Sequence, residues 1–332
     1  MRHIFAYDPS NESSNFIIPG LQHKYRETVL LFVSEDCHSV CAWCFRKRMF
    51  KGQALDHDTV VDPAQALEYL RHHKEVRNVL LSGGDALLAD PALLKELSDG
   101  IVKLPHIHSI RFGTRALVHV PDKYADALPL IKSKRVYVPV HIVRAEEVRA
   151  GLAEVTKRFA TYQFLVQTPL LRGINDSPET LAHLFHRCAA AGLQPYYVFQ
   201  CRPATGNERF ALPLDEGYRI FAGAQAVCTG VVKTARYAMS NRTGKWEIVG
   251  RDGDQMVVRC HQGVNPAMVG TLRRAPGRAV WWDLADDDPL LKAPGLGHRR
   301  SAGAALLRPP RQITPGNGNR LGGGGFRDGF LK

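Results

Sequence analysis

Short apolar runs and amphipathic stretches take turns along most of the chain. Residues 28–34 (TVLLFVS), 78–82, 108–112, 135–142, 162–168 and 194–200 are runs of β-branched, aliphatic and aromatic residues of strand length. Between them, apolar residues recur at helical spacing over 63–73, 91–103, 123–132, 146–159, 178–191 and 215–227. Asp62 before Pro63 is a helix start, a capping side chain followed by a proline with no N–H to lose. Six strand–helix units in series predict a parallel sheet. The fold class expected is α/β, a partial (β/α)6 TIM-like barrel rather than a closed eightfold one. In such barrels the chemistry gathers where the strands end.

The alternation stops at both ends. Residues 1–27 show little periodicity and read as an N-terminal extension to the barrel at 28–230. Residues 234–240, 246–250 and 255–259 read as strands of a small C-terminal β appendage at 231–288, with Arg251-Asp252-Gly253-Asp254 as a hairpin turn. From 289 to 332 the chain is rich in Gly, Pro and Arg, and a disordered tail is expected.

Charge changes this picture little. The formal net charge is +12, but the last 44 residues hold eight basic side chains against one acidic one. The excess reads as a tail, not a nucleic-acid-binding face. No apolar run reaches the roughly 18–20 residues of a membrane span, and the first residues lack the apolar core of a signal peptide. A cytoplasmic enzyme is expected, with no membrane partner.

Cysteine usage changes it more. Of seven cysteines, Cys37, Cys41 and Cys44 crowd into eight positions directly after the first predicted strand. Three thiolates on one tight loop can hold a 4Fe–4S cluster and leave one iron open to a ligand. Two other readings of the spacing stand beside this one. The first is a structural zinc site, with His38 or Cys201 as fourth ligand. The second is a group of buried free thiols.

The CxxxCxxC loop resembles that of the radical S-adenosylmethionine (SAM) superfamily, and further segments resemble the lysine 2,3-aminomutases. These are Cys44-Phe45-Arg46-Lys47-Arg48, the run SGGDALL at 82–88, His23-Lys24-Tyr25, Gln167 with Leu170 to Asp176, and Pro195 to Cys201. The likeness covers roughly residues 20–221. It implies a radical isomerase, an aminomutase that makes a 5′-deoxyadenosyl radical to move an amino group between neighbouring carbons of an amino acid. It implies Cys37, Cys41 and Cys44 as cluster ligands. Gly83, Gly84, Asp85, Arg115, His141 and Gln167 would lie around SAM or pyridoxal phosphate (PLP), and Arg46 would grip the substrate carboxylate. A small-molecule amino-acid substrate and a reductant such as flavodoxin or ferredoxin follow.

The sequence departs from the family at three places. The family's PLP-bearing lysine lies in DAPGGGGK; here Ala238 to Lys245 reads AMSNRTGK, which leaves Lys245 as catalytic lysine or as an exposed hairpin residue. Lys24 stands where the family has the arginine that meets the PLP phosphate. Arg202 and Ala238 stand where lysine-specific members carry two aspartates for the substrate's distal ammonium. An arginine there repels an ammonium and suits a carboxylate. The substrate expected is therefore an amino acid other than lysine, such as glutamate, with Arg202 on its second carboxylate. The family's N-terminal multimerising segment is absent, which leaves a homo-oligomer open. A radical SAM enzyme without PLP, and a zinc- or nucleic-acid-binding module, are the alternatives.

Overall fold

Twelve strands form one sheet in sequence order, and the computed structural model describes residues 5–128 and 134–292. These residues belong to a single compact unit. Strands β1 (Phe16–Ile18) and β2 (Leu21–Tyr25) form an antiparallel ribbon on β3 (Thr28–Ser34). From β3 the pairing is parallel through β4 (Asn78–Gly83), β5 (Ser109–Phe112), β6 (Arg135–His141), β7 (Gln163–Leu170), β8 (Gln194–Gln200) and β9 (Arg236–Asn241). Strands β10 (Gly244–Asp252), β11 (Gln255–Gly263) and β12 (Leu272–Pro276) close the series antiparallel.

Helices α1 (Pro63–His72), α2 (Pro91–Val102), α5 (Ala150–Arg158), α6 (Pro178–Ala190) and α7 (Leu214–Val227) are the crossovers, with short helices α3 (Ala116–His119) and α4 (Pro121–Ala125) between β5 and β6. Three of them start the same way. Asp62, Asp90 and Ser177 each accept a hydrogen bond from a first-turn N–H, and a proline follows each. Their apolar stripes, such as Leu94, Leu97 and Ile101 of α2, join Val29, Leu31, Val79, Leu81, Ile110 and Val138 of the strands in one core.

Several expectations need correction. Residues 1–27 contain two strands. They escape periodicity because β2 (LQHKY) buries Gln22 and His23. Of the helix expected at 123–132, residues 123–125 fall in α4, which Pro121 starts, the turn after it is not helical, and residues 129–133 lie outside those described. The helix expected at 146–159 is a 3-10 turn (Ala145–Glu147) and then α5. Glu147 turns its carboxylate back to the Val143 N–H and to Arg115, which pulls the chain off the helical path. The first strand of the stretch 231–288 also joins the parallel sheet, Val198 of β8 pairing with Tyr237 of β9. Of the stretch expected to be disordered, Pro289–Lys292 forms a short helix, and 293–332 lie outside the described residues. No described helix is long and apolar enough to cross a membrane.

Candidate active site at the barrel mouth

The strands β3 to β9 all end at one rim. The cysteine loop leaves β3 after Ser34 and is pinned to the end of β4 backbone to backbone. Gly84 N–H donates to the Ser34 carbonyl and Asp85 N–H to the Asp36 carbonyl, each at 2.7 Å. A Cβ on Gly84 would overlap the Asp36 carbonyl oxygen, and one on Gly83, which sits at φ 110°, would overlap that of Ser34. The glycine pair is thus required by the loop itself, whatever else approaches it. Asp85 extends the brace. Its carboxylate accepts from Thr114 Oγ1 (2.7 Å), Arg115 N (2.6 Å), Ala116 N (2.8 Å) and Leu87 N (3.1 Å). Those four donors leave it little room for a cofactor.

Within the loop, the Cys44 N–H donates to the Cys41 carbonyl at 2.9 Å. Cys37, Cys41 and Cys44 are free and half-buried. Burial pushes Cys37 up to about 12, with Asp85, Cys44 and Cys41 adding to the shift, and pushes Cys41 up to about 11 against Arg115. Thiols so placed ionise when a metal binds them. Trp43, between two of these cysteines, anchors the loop to the far wall. Its Nε1–H donates to His141 Nε2 at 3.0 Å, its ring meets Phe210 edge-on, and Arg115 lies over it. Burial and Arg115 push His141 down to about 3, so it is a neutral acceptor.

No protein-family model matches the chain. An Aquifex aeolicus protein, provisionally named an L-lysine 2,3-aminomutase, is 36% identical over 293 residues, 83% of this chain and 77% of that one. The L-lysine 2,3-aminomutase of Clostridium subterminale is 29% identical over 81% of this chain and 67% of its own. The chain belongs to the lysine 2,3-aminomutase family. It is therefore a radical SAM isomerase, of a family whose chemistry uses a 4Fe–4S cluster, SAM, a small-molecule substrate and a reductant. A radical SAM methyltransferase from Sphaerobacter thermophilus superposes with a TM-score of 0.43 at 16% identity, over 66% of this chain and 68% of that one.

The other residues that the aminomutase resemblance singles out divide into two groups. Some face the barrel lumen, and of these Lys245, Arg202 and Lys24 have no ion-pair partner among the described residues. Lys245, second residue of β10, is half-buried, with its ammonium 4.4 Å from the Tyr197 ring centroid and 5.8 Å from that of Phe199. Burial, with Arg111, Arg202 and Lys24, lowers it to about 7. This is no exposed hairpin lysine. The Arg202 guanidinium carbon lies over the Phe45 ring, 3.7 Å from its centroid. Lys24 donates to the Asn241 carbonyl across the gap between β2 and β9, and burial with Arg202 lowers it to about 8. Gln167 stands level with His141 on adjacent strands. Arg115 is tied to Glu147 at 2.8 Å, while its buried Nε has no partner.

Others are already engaged. Arg46 is buried and its fork is closed on Glu12, with contacts of 2.7, 3.0 and 3.1 Å. Its remaining nitrogen reaches the Gly83 carbonyl at 3.3 Å. Arg48 completes the group, bidentate to Asp58 at 2.8 Å and 3.2 Å from Glu12. Burial works against a charge on Glu12, but Arg46, with Arg48 and Arg202, outweighs it and holds the carboxyl at about 2. Lys47 turns inward to Ala42 and Asn207. The basic run 46–48 is therefore not a solvated face. Glu12 and Trp43 were not among the sequence candidates. An aromatic residue between two closely spaced cysteines was a readable signal for Trp43. Glu12 lies 34 residues from Arg46 and had none.

Proposed function

We propose that this radical SAM isomerase moves an amino group on an amino acid other than lysine, one with a second carboxylate, and that it holds PLP through Lys245. The observation that carries this reading is the lumen's charge. Lys24, Arg111, Arg202 and Lys245 gather there, and none has an ion-pair partner among the described residues. Unpaired buried cations are costly, and anionic ligands remove that cost. A phosphate and two carboxylates are such ligands; a substrate ammonium is not.

The donor set fits the family's cofactors. Cys37, Cys41 and Cys44 would hold the cluster, and Lys245 with Lys24 would hold PLP. Bound together, cluster and SAM supply a 5′-deoxyadenosyl radical, and PLP supplies a conjugated system that lets a nitrogen migrate beside a radical carbon. This chain's own residues bind and orient. Lys245 presents an uncharged amine near neutrality, which makes it nucleophilic. Tyr197 and Phe199 fix its direction. Arg202 offers a guanidinium fork to a carboxylate. Because Glu12 occupies Arg46, that arginine orients the Gly83 carbonyl and leaves carboxylate recognition to Arg202. An electron donor of the flavodoxin or ferredoxin class would feed the cluster.

The test begins with anaerobic reconstitution with iron, sulfide and PLP. Borohydride reduction should fix PLP to Lys245, and Lys245→Ala should lose the label and the PLP absorbance. With SAM and dithionite, glutamate should turn over and lysine should not, and Arg202→Asp should reverse that order. A protein that cleaves SAM but never retains PLP would be the radical enzyme without that cofactor. Lysine turnover without glutamate turnover would remove the acidic-substrate reading.

A further inference from the structure

At the end of the barrel away from the cysteine loop, side chains from two elements converge. Asn78, first residue of β4, pairs with Thr28, so the α1–β4 connection lies opposite the Ser34 end. His23 of β2 is buried there, and His73 and Glu75 reach it from that connection, each about one-third exposed. One ligand atom from each of the three lies within 4.8 Å of the other two.

The backbone builds this set. The His73 N–H donates to the Tyr69 carbonyl at the end of α1, and the Val76 N–H donates to the His73 carbonyl, each at 3.1 Å. That turn brings Glu75 Oε1 within 2.7 Å of His73 Nδ1. Tyr69 stacks on His73 at 3.9 Å, and His23 stands edge-on to both rings. His23 Nε2 lies 3.1 Å from the Arg26 carbonyl, which can only accept, so that nitrogen carries the proton. His23 Nδ1 then presents its lone pair, 2.7 Å from the Tyr69 hydroxyl. A ring N–H given to a backbone carbonyl fixes the tautomer and orientation of an imidazole, as it does in metal-ligating histidines, and a cation at Nδ1 would take the place of the Tyr69 hydroxyl.

We propose that His23, His73 and Glu75 form a site for one zinc-class divalent cation, separate from the cysteine loop. Two imidazoles and one carboxylate suit zinc or cobalt, and suit magnesium or calcium poorly. Bonds of about 2.0–2.2 Å in a tetrahedron put ligand atoms about 3.4 Å apart. Rotation of His73 and Glu75 supplies that contraction, and their exposure leaves the fourth position to water. The ion would fasten β2, the strand that also carries Lys24, to the segment entering β4.

The test uses the full chain with its cluster reconstituted, so that the loop thiols are occupied. Cobalt(II) and zinc are then titrated in metal-free buffer. We expect one further equivalent per chain, a cobalt visible spectrum without a thiolate charge-transfer band, and a zinc-dependent rise in Tm. Removing a partner that only orients a ligand costs 10–100-fold in affinity, so His73→Ala and Glu75→Gln should each cost at least about 100-fold. His72→Ala, exposed on the same turn, should change nothing. Absence of a saturable extra equivalent overturns the proposal. So does binding that survives His73→Ala with Glu75→Gln, or that disappears in Cys41→Ala.

Discussion

Glu12 is one carboxylate between two buried guanidinium groups. Removing one member of such a group leaves the others charged and unpaired, which costs about 3–5 kcal/mol. Glu12→Gln should therefore lose stability of that order in urea titrations. The pH dependence has a definite sign. The carboxyl is near 4.5 in the unfolded chain and about 2 in the fold, so its contribution is complete above 4.5 and lost as pH falls towards 2. Wild-type unfolding free energy should fall across that window, and Glu12→Gln should fall less steeply there. Lys245 makes a second prediction at this scale. Its amine is uncharged above about 7, so its acylation rate should rise with pH to a midpoint near 7, while surface lysines rise to well above 9. A midpoint above 9 for Lys245 would show an ordinary solvated ammonium.

Among the elements, the cysteine loop depends on its neighbour more than on itself. Gly84→Ala places a methyl on the Asp36 carbonyl, and backbone cannot yield as a side-chain tip can. We expect iron uptake to fall severely, with far-UV circular dichroism nearly unchanged. Intact iron content in that variant would show that the loop closes without the pinned backbone. This coupling also marks the limit of what the sequence told. Strands such as Thr28–Ser34 and Gln194–Gln200, and helices opened by Asp62-Pro63 or Ser177-Pro178, were legible because their signals are local. The cysteine spacing and SGGDALL were legible for the same reason. The ribbon β1–β2 was hidden because its buried residues include the polar Gln22 and His23, the second held by Tyr69 and the Arg26 carbonyl and not by apolarity. The break before α5 was hidden because Glu147 answers to Arg115 and Val143, outside its own helix. Glu12 was hidden because its partners lie 34 and 36 residues away.

For the whole molecule, the notable join is the one the sheet does not make. Strands β2 and β9 are not paired with each other, and Lys24 spans them by donating to the Asn241 carbonyl. Residues 6–12 reinforce that side of the mouth. Ala6 bridges Ala204, Ser10 donates to the Ser240 carbonyl, and Glu12 reaches Arg46. Lys24→Met removes the span while keeping length and apolar volume. We expect a loss of about 1.5–3 kcal/mol, since a hydrogen bond from a charged donor is given up. Hydrogen exchange should quicken at the β9 amides before it does at β4. Equal protection in the variant would mean that the segment at 6–12 holds the gap closed alone.

The indole of Trp43 stands between Cys41 and Cys44, while the chain's three other tryptophans, Trp246, Trp281 and Trp282, lie beyond residue 240. Iron–sulfur chromophores absorb across the band in which indole emits, so energy transfer to them weakens steeply with distance. A cluster held by those cysteines would therefore quench Trp43 and give an optical gauge of its own assembly. Darkening of the Trp43 emission would report loading in real time, with no label attached.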